Sequence, residues 1–236
     1  MSISLGFCLA FALAPQVIMP SPPPEQAPPP DQAPPSSPAP AAPSVTLVQQ
    51  QIDDARMAAL VAEGRFAPEV AEVDLSSNQV GAEGVAALLG SPVRQLQHLV
   101  LYDNRIGDAG ARALAASPKI MGVNHLDVAY NGLTADGLTA LVGPGTGLTG
   151  PVYLSVAGNS APDAWLDALK AGPFVPHLRD LNLRRTGLTD AGAQRLAGLP
   201  FAKLERLNVS GNALTPAGRA ALQAAPWARR CRITFD

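Results

Sequence analysis

One phrase recurs along this chain and constrains it more than anything else. Leu96–Leu114 reads LQHLVLYDNRIGDAGARAL, with Leu96, Leu99, Leu101 and Asn104 in an L-x-x-L-x-L-x-x-N spacing and Ile106 two residues on. Six copies align on the asparagine position, at Asn78, Asn104, Asn131, Asn159, Thr186 and Asn212, separated by 26, 27, 28, 27 and 26 residues. Leucine stands ten residues after each, at Leu88, Leu114, Leu141, Leu169, Leu196 and Leu222. Five residues before stand Val73, Leu99, Leu126, Leu154, Leu181 and Leu207, and three before stand Leu75, Leu101, Val128, Val156, Leu183 and Val209. A unit of this length is a strand plus a helix that cannot bury its apolar face alone, so successive units must stack.

Side chains alternate along a strand, so the residues five and three before the asparagine share the inward face. The asparagine closes the following turn, and its amide is suited to bonding backbone groups of its own and the neighbouring coil. Asn78, Asn104, Asn131, Asn159 and Asn212 should form a ladder satisfying backbone that would otherwise be buried unpaired. Thr186 interrupts it with a shorter side chain, which predicts a weak or water-filled rung. Helices should start after each turn, where Thr134, Thr189 and Thr215 are capping residues and Pro216 suits a first turn. Gly84, Gly110, Gly137, Gly192 and Gly218 recur six residues past the asparagine position, which predicts close helix–strand packing. Trp165 holds that place in the fourth copy, after an enlarged loop at 143–147.

These residues resemble the leucine-rich repeat superfamily, and the N-x-[IL]-[GT]-x-x-G-x-x-x-L phrase resembles its ribonuclease-inhibitor-like class. That class includes Ran GTPase-activating proteins and the repeats of NOD-like receptors. The resemblance covers Val70–Phe235, roughly two thirds of the chain. It implies an α/β fold: a right-handed solenoid (horseshoe) with a parallel β-sheet on the concave side and helices on the convex side. It also implies partner binding by the concave strands and adjacent loops.

The parts outside the repeats read differently. Met1–Pro24 carries no charged side chain, and Ile3–Ala14 is an apolar run. A membrane span needs ~20 apolar residues, so residues 1–19 are expected to be a signal peptide or a short anchor. Residues 20–43 (PSPPPEQAPPPDQAPPSSPAPAAP) are an expected proline-rich disordered linker, because proline fixes φ and removes donors. Residues 44–66 place Val45, Val48, Ile52, Met57, Leu60 and Val61 near helical spacing, an expected N-terminal capping helix over the end of the stack. The remaining 67–236 is the repeat domain, with Cys231, Ile233 and Phe235 inward on a closing strand. The expected location is extracytoplasmic (secreted, periplasmic or membrane-anchored), or cytoplasmic if the leader is not a true signal.

Outward strand positions follow from the same register. The face is acidic at the first copy, aromatic and imidazole in the middle and basic near the end. The expected partner-binding residues on the concave face are His98, Val100, Tyr102, His125, Asp127, Tyr130, Tyr153 and Arg184. Tyr and Arg are the residue types enriched at binding hot spots. His98 and His125, with Asp127 and Asp103 nearby, fix no third ligand, so no metal site is expected. No Ser-His-Asp order, paired-carboxylate motif or phosphate loop is present. The two cysteines, Cys8 and Cys231, make no disulfide framework. A net charge of −2, without a clustered basic face, points away from nucleic acid. The expected function is a non-enzymatic scaffold with no cofactor and another protein as partner, membrane contact coming only through an uncleaved leader. Two other readings are a GTPase-regulating protein of the Ran-activating kind and a structural envelope protein.

Overall fold

A computed structural model describes residues 43–235. The expected leader and nearly all of the proline-rich linker lie outside these residues. Eight strands form one parallel sheet in sequence order: β1 (Ser44–Thr46), β2 (Glu72–Asp74), β3 (His98–Val100), β4 (His125–Asp127), β5 (Tyr153–Ser155), β6 (Asp180–Asn182), β7 (Arg206–Asn208) and β8 (Arg232–Thr234). A helix follows each of the first seven: α1 (Asp54–Ala62), α2 (Ala82–Gly90), α3 (Gly107–Ala116), α4 (Ala135–Val142), α5 (Leu166–Ala171), α6 (Asp190–Ala197) and α7 (Pro216–Gln223).

Strand register matches the sequence columns. Val73, Leu99, Leu126, Leu154, Leu181 and Leu207 face one another across successive strands, with Val45 before them and Ile233 after. The leucines ten residues past the turn meet them from the helices, and both columns of the six copies are buried. Each strand is three residues long, yet the ladder continues past it: Leu75 N–H donates to Val100 O at 2.9 Å and Ser77 N–H to Tyr102 O at 2.8 Å. This continuous apolar layer between sheet and helices is the core.

The segment 44–66 differs from the helix expected there. It is a strand, a turn and a helix, with β1 pairing in register to β2. Val45, Leu47, Ile52 and Leu60 occupy the same columns as Val73, Leu75, Val80 and Leu88, so this segment is another coil of the stack. Val48 points outward and is exposed. Gln50 stands where the asparagine would be, and the neighbouring Asn78 does its work. Asn78 Oδ1 accepts from Gln50 N–H at 2.9 Å and Ile52 N–H at 3.0 Å, while its Nδ2 donates to Leu47 O at 2.7 Å.

The asparagine ladder runs in the same way along the stack. Asn104 Nδ2 donates to Leu75 O at 2.9 Å, Asn131 to Leu101 O at 2.7 Å, Asn159 to Val128 O at 3.0 Å and Asn212 to Leu183 O at 2.7 Å. Each side chain therefore bonds the coil before its own. Thr186 reaches only its own coil, donating to Leu183 O at 3.0 Å. The crossing at that rung is left to backbone, Ala161 N–H to Thr186 O at 3.2 Å.

Most of the recurring glycines have a different cause from the helix–strand packing expected of them; at Gly110, whose preceding coil carries Ala82, a Cβ would instead lie 2.9 Å from Ile106 of its own coil. Four of them face an aspartate in the first turn, or at the N-cap side, of the preceding coil's helix. A Cβ would lie 2.6 Å from Asp54 Oδ1 at Gly84, 2.2 Å from Asp108 at Gly137, 1.9 Å from Asp163 at Gly192 and 2.2 Å from Asp190 at Gly218. These carboxylates cap the next helix from outside its own coil. Asp108 Oδ1 accepts from Thr134 N–H at 2.8 Å and Oδ2 from the Thr134 hydroxyl at 2.6 Å, and Asp163 and Asp190 treat Thr189 and Thr215 alike. Where the preceding coil has Ala135 at this position, the glycine is replaced by Trp165. Its indole is buried and donates to Ala161 O at 3.0 Å.

Candidate functional site: the open face of the sheet

The helices cover one face of the sheet, and the side chains of the other face stand free of them. Along the first residue of each strand, the register brings His98, His125 and Tyr153 side by side. The His125 and Tyr153 rings stack with centroids 4.1 Å apart and planes 5° from parallel, and His98 stacks on His125 at 5.4 Å. Neighbouring strands lie ~4.8 Å apart, so rings in one column meet without adjustment. Burial, and then the neighbouring His98, hold the His125 imidazole below its ordinary pKa. Burial, and then the carboxylate of Asp127, raise that of the Tyr153 phenol.

Tyr102 and Tyr130 do not join this row. They sit at the turn end of the strands, edge to face, with centroids 5.5 Å apart. The aromatic residues grouped from sequence thus form two clusters, about 13 Å apart along the strand direction at ~3.3 Å per residue. Tyr102 is 39% exposed. Tyr130 lies in the left-handed region at φ 55°, as do Gln49, Ser77, Asp103 and Arg185 at the same place in their coils. The left-handed conformation costs a non-glycine residue roughly 1–2 kcal/mol. The bond each coil's turn residue makes to the next offsets it, as in Tyr130 N–H to Ala157 O at 2.8 Å. At Gly158 that position has φ 67°, and a Cβ would lie 2.4 Å from the Tyr130 ring. The glycine is the floor on which Tyr130 rests.

Between the two clusters, Val100 and Asp127 occupy the last strand residue. Asp127 is half-buried and Oδ1 accepts from Ala129 N–H at 2.8 Å. Burial raises its carboxyl pKa above the usual range, against the pull of its hydrogen bonds to Ala129, Ser155 and Tyr153. Asp74, Asn182 and Asn208 make the same local bond in their own coils.

Two depressions flank the ring row. One, of about 280 Å³, is lined by Tyr153, Asp180, Asn182, Arg206, Asn208 and Arg232, among others. The second, of about 210 Å³, is lined by Glu72, Asp74, His98 and Val100 with β1 residues. Arg184, the arginine singled out from sequence, is exposed on the turn rim and does not line the larger depression. Arg206 and Arg232 do, and selecting for aromatic residues passed over them although they lie in the same columns. Arg206 pairs with Asp180, whose side chain is 12% exposed against 70% for the arginine. Among the described residues no three His, Cys, Asp or Glu side chains converge as they would around a metal ion. Cys231 is partly buried, and desolvation pushes its thiol up to about 11.

Five segments, residues 71–89, 94–115, 123–142, 176–197 and 202–222, match the family described as Leucine Rich repeat. The chain carries leucine-rich repeats. They coincide with the coils of β2, β3, β4, β6 and β7. The coil of β5 falls between matched segments, and it is the coil with the enlarged loop and Trp165. The β1 coil, with Gln50 in the ladder position, also lies outside them. A comparison with curated proteins finds no match.

Proposed function

We propose that this chain is a non-enzymatic protein-binding scaffold whose partner seats on the open face of the sheet. Leucine-rich repeats generally serve as protein-interaction scaffolds, and the stacked row His98–His125–Tyr153 is the observation that carries the reading. Rings already stacked lose little freedom on binding, and rigid aromatic side chains supply contact area at low entropic cost. The period of 26–28 residues and the helix in every complete coil support the ribonuclease-inhibitor-like class. The uncharged apolar stretch at the N-terminus and the proline-rich stretch after it support placement outside the cytoplasm, with the repeats held on a spacer. Among the described residues no helix is long and apolar enough to cross a membrane.

The test is capture of a partner with Tyr102→Ala/Tyr153→Ala beside the unaltered chain. Loss of capture with an unchanged melting curve supports the open face. Unaltered capture removes it and favours a structural spacer, for which no substitution on this face matters. N-terminal sequencing of the expressed protein reads the fate of the leader.

A further inference from the structure

The open face is electrically divided across the strands. On its outward strand positions and the turn residues just before each ladder asparagine, β2–β4 present Glu72, Asp74, Asp103 and Asp127 and no lysine or arginine, Arg105 coming only after the ladder residue Asn104. The corresponding positions of β6–β8 present Arg184, Arg185, Arg206 and Arg232 with a single described carboxylate, Asp180. Asp180 is spent on Arg206, while Arg184 and Arg232 have no ion-pair partner among the described residues. Arg206 and Arg232 line the larger depression, whereas Arg184 and Arg185 stand on the turn rim beside it. Asn208 turns its carbonyl oxygen to the Ser210 N–H at 3.0 Å, which leaves its amide N–H groups beside Arg206 and Arg232, while the Asn182 amide donates to Ser155 Oγ at 3.3 Å. Guanidinium and amide donors in one place are suited to carboxylate oxygens.

Resting on the open-face reading above, we propose that the partner presents an extended peptide segment with carboxylates at one end and basic side chains at the other. The segment crosses the strands, its carboxylates over β6–β8, its middle on the His98–His125–Tyr153 rings and its basic end over β2–β4. From β2 to β7 is five strand spacings, about 24 Å, which an extended chain spans in roughly seven residues. Complementary charge at both ends fixes direction as well as register. A polyanion such as single-stranded nucleic acid meets the β6–β8 arginines but is repelled by the four carboxylates of β2–β4.

The experiment is selection of a displayed library of random twelve-residue peptides on the full chain, with a single-stranded twelve-base DNA as a competing probe. The expected result is enrichment of peptides with acidic and basic residues about seven positions apart. Arg184→Glu/Arg232→Glu breaks no ion pair of the structure and should weaken the selected peptides about tenfold, with the loss tracking their acidic end. Arg206→Glu is a harsher variant, since it sets a second carboxylate against Asp180. Enrichment with no charge pattern, no enrichment, or DNA binding as tight as the peptides each overturns the proposal. Apolar peptides that require Tyr153 but ignore the arginines would leave the open-face reading standing while removing this one. Selected peptides indifferent to every substitution on the face would remove both.

Discussion

Asp190 and Gly218 exclude each other's side chains. The Asp190 carboxylate caps the next helix through Thr215, accepting from its N–H at 2.9 Å, and fills the space a Cβ on Gly218 would need. The same relation holds between Asp108 and Gly137 and between Asp163 and Gly192. Adjacent coils are thus locked by a charged cap on the outside of the stack as well as by amides at the turn.

The sign of one substitution follows. Glycine inside a helix normally gains about 1 kcal/mol on conversion to alanine. Gly218→Ala should instead lose about 1–3 kcal/mol, the cost of overpacking. In an Asp190→Ala background most of that penalty should disappear. Urea denaturation of the two single variants and the double variant measures the coupling.

The incomplete rung gives a stabilising prediction. Thr186→Asn should restore a side chain long enough to bond the preceding coil, as Asn159 does, and raise stability by about 1 kcal/mol. The urea midpoint should rise with the slope unchanged. The reverse change, Asn159→Ala, removes a fully buried amide that bonds Val128 O, Val156 O and the N–H groups of Asn131 and Leu133. It should cost at least about 3 kcal/mol by leaving buried polar groups unpaired.

His125 gives the pH dependence. Its folded-state pKa is lowered by burial and by His98, so the unfolded chain takes up the proton first. Stability should therefore fall as pH drops through about 6.5, the ordinary imidazole value. Asp180 pulls the other way. Urea midpoints at pH 7 and pH 5 should differ, and His125→Phe, which keeps a ring against Tyr153, should narrow the difference. An imidazole titration by NMR reads the group directly and should place it below the ordinary value.

The repeat columns made the sheet, its register and the asparagine ladder legible before any coordinates. The first coil was hidden because Gln50 replaces the one residue on which copies are aligned, although Val45, Leu47, Ile52 and Leu60 keep the apolar columns. The glycines were legible as a pattern but not as a cause, since an aspartate one coil away lies more than twenty residues off in sequence. The left-handed turn was marked only by Gly158 and Gly211; Ser77, Tyr130 and Arg185 give no local hint of it. On the open face, the strand columns placed His98, His125 and Tyr153 together correctly. The same columns also set Tyr102 four residues past His98 and Tyr130 five past His125, a separation of about 13 Å or more that grouping by aromatic character alone conceals. The Asp180–Arg206 pair is formed by charges on neighbouring strands 26 residues apart, which aromatic character along the columns does not mark.

The open face as the partner-binding surface is tested most directly by site-specific photo-crosslinking. A photoreactive phenylalanine analogue is placed at Tyr153, at Tyr130 and, on the helical side, at Arg112, which is exposed on α3. Covalent capture of one and the same partner from Tyr153 and Tyr130, and none from Arg112, is the predicted result. Capture from Arg112 with none from either tyrosine would contradict it.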